Sequence, residues 1–126
     1  MKNLKMVMLI NSLSSGATGL IMVIFSRPIA ALFEVSTVIP FIAIGIFLIA
    51  FSILVLLVSR NTQNTGAVKF VIMLDVSWVI ASLALATFQL FGLSLIGYWL
   101  ILGVAVWVAL MAFLQFIGMN KLVEAR

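Results

Sequence analysis

Four long apolar runs, at about 6–25, 38–59, 68–90 and 95–118, constrain this chain more than any other feature of its sequence. Each comes close to the roughly 20 helical residues needed to cross a hydrocarbon core about 30 Å thick. The connections between them are short, so neighbouring helices run antiparallel. Composition points the same way: of 126 residues 66% are hydrophobic and 8% charged, with a mean hydropathy of +1.41. A soluble domain carries about 25% charged residues, so this chain lacks the polar surface to dissolve by itself. The expectation is an all-α membrane protein: a four-transmembrane-helix antiparallel bundle that forms a single integral membrane domain over residues 1–126.

The breaks between runs carry their own signals. Lys2 and Lys5 precede the first run, which Asn11, Ser12, Ser14 and Ser15 interrupt. Those polar residues, the full length and the lack of an A-x-A site after Phe25 set it apart from a cleaved secretory signal. In Ser26–Thr37, Ser26 can cap and Pro28 can open a short helix. Ile29, Leu32 and Phe33 would be its apolar face along the membrane surface; a tight irregular loop is the other reading. Pro40 sits in the first turn of the second run, where its missing N–H does little harm, and Arg60 stops that run. Asn61–Val68 is a turn by composition, and Lys69 can snorkel to the interface. The turn Phe91–Leu95 makes the third and fourth runs antiparallel neighbours. The fourth opens with Tyr98 and Trp99, as an aromatic belt would, and ends in a polar tail, MNKLVEAR, too short to fold alone.

Basic residues give the bundle a direction. Lys2, Lys5, Arg60, Lys69, Lys121 and Arg126 fall at one end, and only Arg27 at the other, with Glu34 nearby. Cytoplasmic loops collect Lys and Arg, so both termini are expected in the cytoplasm (N-in/C-in). Short loops and a minimal tail suit a multi-pass protein of a bacterial inner (plasma) membrane.

Several function classes are excluded by inventory. The chain has no Cys and no His, which removes disulfides, thiolate chemistry and the commonest transition-metal ligands. Its net charge is +4, but the basic residues stand in ones and twos, whereas nucleic-acid binding needs a clustered basic face. Catalysis needs a nucleophile with a base, paired carboxylates or a metal. Here one acid lies in an apolar run and the other two, Glu34 and Glu124, lie outside. No glycine-rich phosphate loop or dinucleotide fingerprint is present. The chain is expected to be no enzyme and to carry no cofactor or metal; its seven Met residues read as flexible filler.

The acid inside the third run, Asp75, is the exception that invites a functional reading. A charged group at a helix centre costs about 2.5–3.5 kcal/mol on insertion scales, so it normally faces other helices or water. Asn11 follows Lys5 by six residues, Asp75 follows Lys69 by six, Gln115 precedes Lys121 by six, and Ser52 precedes Arg60 by eight. At about 1.5 Å of rise per residue, every run offers a polar group about 9–12 Å in from the basic end. Helical spacing puts Trp78, Ser82 and Gln89 on the stripe of Asp75, and Ser15 and Thr18 on that of Asn11. The candidate ligand-binding residues are therefore Asp75, Asn11, Gln115, Ser52, Trp78 and Ser15, around a pocket expected to open towards the cytoplasm. Trp78 can stack on a ligand cation or simply pack; Trp107 reads as packing. The segments Lys5–Asn11 and Lys69–Asp75 also align, as two hairpins from one duplicated hairpin would.

Small residues recur at Ser12 and Gly16, at Ser15 and Gly19, and at Gly103, Ala105, Ala109 and Ala112. They let helix backbones approach closely, here mainly within the bundle. The length and span number are similar to those of small multidrug exporters, fluoride channels and DoxX-like proteins. No motif of these families is matched, and Asn11 stands where the exporters place a first-span glutamate. The leading expectation is a protein that binds a small ligand, lipid or partner through the polar layer centred on Asp75. An alternative is a proton- or cation-coupled small transporter, acting as a homo-oligomer because four short spans enclose little space. A second is a structural subunit beside a partner membrane protein. The lipid bilayer is the constant partner, and nucleic acid is none.

Overall fold

The computed structural model describes residues 2–124. It contains α1 (Lys2–Ile24), α2 (Ser26–Leu32), α3 (Ile39–Ser59), α4 (Thr65–Thr87), a 3-10 turn (Leu90–Gly92) and α5 (Leu95–Glu124). Four of these helices, α1, α3, α4 and α5, are long and apolar enough to cross a membrane. They alternate in direction, so the start of α1, the α3–α4 connection and the end of α5 share one end of the bundle. Lys5, Arg60, Lys69 and Lys121 are exposed at this basic end, and Arg27 is exposed at the other. Lys2 opens α1 at the basic end, and Arg126 lies outside the described residues.

The boundaries depart from the apolar pattern where local chemistry intervenes. α4 starts at Thr65 because the Asn64 side chain caps it, accepting from the Ala67 N–H at 3.2 Å. It ends at Thr87, where Gln89, Phe91 and Gly92 all turn to positive φ (49°, 67° and 60°). α5 runs past Gly118 to Glu124, so most of the polar tail continues the helix. Gly118 does not end the helix. A Cβ there would lie 3.1 Å from Leu4 Cβ, and the bare backbone lets α1 in.

Residues 26–32 form a helix, though not with the expected cap: Phe25 holds the N-cap position without a side-chain bond, and Ser26 is buried. The helix is pinned to the bundle. Ser94 donates its hydroxyl to the Leu32 carbonyl at 2.7 Å and its N–H to the Phe33 carbonyl at 3.1 Å. The Phe33 ring meets Phe41 edge-on at 5.2 Å and fills the space beside Gly97.

The spans pair most closely as two hairpins, α1 with α3 and α4 with α5. Gly19 and Gly45 set the first contact, because a Cβ on Gly19 would stand 2.6 Å from the Gly45 carbonyl oxygen. Close backbone approach replaces the hydrophobic drive that lipid does not supply. Gly16 lies against Ser52, and Ser12 donates to the Ser52 carbonyl at 2.7 Å. These small residues serve the α1–α3 seam. On α5, Ala105 and Ala112 are buried, while Gly103 and Ala109 face outward. At the basic end Leu4, Met8, Phe51, Val55, Val58, Val68, Val71 and Met119 form one apolar cluster.

Candidate functional site

Asp75 on α4, Asn11 on α1 and Gln115 on α5 meet inside the bundle, exposed by only 2%, 1% and 0%. Asn11 Nδ2 donates to Asp75 Oδ2 at 3.1 Å and to Gln115 Oε1 at 3.1 Å. Gln115 Nε2 donates to the same Asp75 oxygen at 2.7 Å, which closes a ring across three helices. A carboxylate only accepts, and this fixes how both amides turn: each presents NH₂ to Asp75. Ser15 then donates to the remaining Asn11 oxygen at 3.3 Å. Both hydrogen bonds to the carboxyl come from neutral amides.

Ser52, read at the same depth from its place eight residues before Arg60, has a different rotation. It faces the α1–α3 seam beside Gly16, and its hydroxyl donates to the Ile49 carbonyl at 2.7 Å. A helical serine can satisfy itself on the preceding turn, so depth alone does not bring it into the ring. Trp78 is half-buried one turn from Asp75, its ring parallel to Phe47 at 6.2 Å. Its Nε1 is buried and has no hydrogen-bond partner. Thr18 bonds back to the Ser14 carbonyl at 2.7 Å, Ser82 is buried, and Gln89 lies beyond the end of α4.

Two residues carry more than packing suggested. Trp107 Nε1 donates to Ser14 Oγ at 3.1 Å, tying α5 to α1. A mid-span indole N–H usually finds a partner, a signal that reading Trp107 as packing alone passes over. Ser14, read as one of several polar interruptions, supplies the acceptor.

Among the described residues, apolar side chains close the ring off from the basic end. Met8 and Leu4 lie three and seven residues before Asn11, Val71 and Val68 four and seven before Asp75, and Met119 four after Gln115. The helical repeat that aligns the polar residues therefore aligns these apolar ones beneath them, and they close the way as the apolar cluster. A small, half-open pocket of about 30 Å³ lies on the other side, with all four spans contributing to its wall: Ser14, Ser15, Thr18, Leu48 and Trp78, and at its rim the exposed Val104 and Trp107. A larger apolar hollow of about 350 Å³ runs between α4 and α5 past Val76, Ala109 and Phe113; neither cavity is lined by Asp75.

Chemically, the ring offers one carboxyl that can take or release a proton and accept hydrogen bonds, held by two amides. Among the described residues no group of three His, Cys, Asp or Glu side chains could hold a metal ion. Compared with protein-family models, with curated proteins and with solved structures, the chain matches none.

Proposed function

We propose that this chain is a non-enzymatic, multi-pass membrane protein in which Asp75 binds and releases a proton inside the bundle, as a small proton-coupled transporter requires. One observation carries this reading: a buried carboxyl is held, among the described residues, by the neutral amides of Asn11 and Gln115. The pocket lined by Ser15, which bonds Asn11, holds about 30 Å³, about the volume of one water, and the larger hollow of about 350 Å³ has an apolar wall without Asp75. With neither reaching the carboxyl, a proton is favoured over an organic molecule or lipid.

The mechanism follows from the ring. Protonation turns one carboxyl oxygen from acceptor to donor. Asn11 and Gln115 both donate to Asp75 Oδ2, so a proton taken on that oxygen would force the joint between α1, α4 and α5 to rearrange, whereas one taken on Oδ1 would leave both bonds in place and only weaken the acceptor. Proton binding is coupled to how three spans meet to the extent that Oδ2 takes the proton. The excess of Lys and Arg at the end that holds the termini supports a cytoplasmic position for that end, in a bacterial inner (plasma) membrane.

The test is proton uptake by the purified protein in liposomes, wild type against Asp75→Asn, over the pH range in which both stay helical. Wild type should bind one proton more, with a matching protonated-carboxyl infrared band missing from the variant. Identical uptake and identical spectra would remove the reading.

A further inference from the structure

The cavity beside Ser15 has a wall whose hydrogen-bonding groups are complementary in kind. On α1 the hydroxyl protons are already used. Ser14 donates to the Ile10 and Asn11 carbonyls (2.8 and 3.1 Å), Ser15 to Asn11 Oδ1 (3.3 Å) and Thr18 to the Ser14 carbonyl (2.7 Å). Each oxygen keeps acceptor capacity, part of which Ser14 gives to Trp107 Nε1. On α4 stands a donor: the Trp78 indole N–H, buried and without a partner. Leaving such a group unpaired costs about 1–3 kcal/mol.

We infer that this cavity is a hydration site for a single water, which accepts from Trp78 Nε1 and donates to the hydroxyl oxygens of Ser15 and Thr18. Chemistry and size select the ligand together. A cation would meet the positive edge of an indole N–H, and an anion would meet hydroxyls whose protons are spent. Water has both a donor and an acceptor face. The site supplies the two to four polar partners a buried water needs, in a volume of about one water. The site places solvent on the α2 side of the polar ring, opposite the Leu4–Met8–Val71–Met119 plug. Its role as the nearest solvent for the Asp75 proton rests on the reading given above; the hydration site itself does not.

The test is a water cross-relaxation measurement on protein labelled with ¹⁵N at its three tryptophans, in lipid nanodiscs, with the Trp78 signal assigned from Trp78→Phe. The Trp78 indole N–H should show a cross-peak to water with the sign of a long-lived bound molecule. That peak should weaken several-fold in the Ser15→Ala, Thr18→Val double variant. Absence of the cross-peak in wild type, or equal strength in the double variant, would overturn the inference. The wild-type arm decides even if the double variant does not fold. A cross-peak present while proton uptake is the same in wild type and Asp75→Asn would uphold the hydration site and sink only the proposed function.

Discussion

Asn11 and Asp75 lie 64 residues apart in the chain and share a hydrogen bond of 3.1 Å in the interior of the bundle. The same Asn11 nitrogen reaches Gln115, and Gln115 reaches back to the same carboxyl oxygen. Three spans are thus joined through one acceptor atom, and its removal has consequences at both donors.

Replacing Asp75 with Leu strands the NH₂ groups of Asn11 and Gln115 in a low-dielectric interior. The expected loss is about 1–3 kcal/mol, read as a lower thermal midpoint in detergent. Asp75→Asn keeps an acceptor oxygen and should lose less. A Leu variant as stable as wild type would show that the ring does not hold the bundle.

Asn11 and Ser52 should behave differently, though they lie at similar depth. Asn11 bonds Asp75, Gln115 and Ser15, and Asn11→Ala removes all three contacts. Ser52→Ala removes only a bond to its own helix and should fall within about 0.5 kcal/mol of wild type. Thermal unfolding of the two variants side by side checks this, and equal losses would place Ser52 in the ring.

At Gly45 a Cβ would stand 2.7 Å from Val23 Cγ2 and 2.8 Å from the Gly19 carbonyl oxygen. Gly45→Ala should therefore wedge α1 from α3 and cost about 1–3 kcal/mol, as overpacking does. At Gly103 a Cβ meets nothing within 4 Å. Gly103→Ala should be neutral or gain up to about 1 kcal/mol through helix propensity. Unfolding midpoints in one detergent compare the pair directly.

Ser94 ties the start of α5 to α2, accepting from the Gly97 N–H at 3.0 Å and donating to the Leu32 carbonyl at 2.7 Å. Ser94→Ala should cost about 1 kcal/mol as a lost cap. Proteolysis should also become faster within residues 26–37, where α2 would lose its tether. Ser94→Thr should restore most of both effects.

Much of the architecture was legible in residue order. Four runs of spanning length, joined by short breaks, dictate antiparallel helices, since lipid offers no other partner for the backbone. Depth was legible as well, because it is a sum of equal rises: Asn11, Asp75 and Gln115, each six residues from a lysine, do meet. Rotation was not. Ser52 matches in depth but turns to Gly16, a direction set by the Gly19–Gly45 contact between α1 and α3. The side on which the polar layer is closed was also hidden. Leu4, Met8, Val71 and Met119 read one by one as ordinary apolar residues, and only four packed helices turn them into a plug. The sequence by itself determined how many spans there are and how deep each polar group lies, because rise per residue is intrinsic to a helix. Tertiary structure alone decided which groups touch, because a helix's angle about its own axis is chosen by the surfaces of its neighbours.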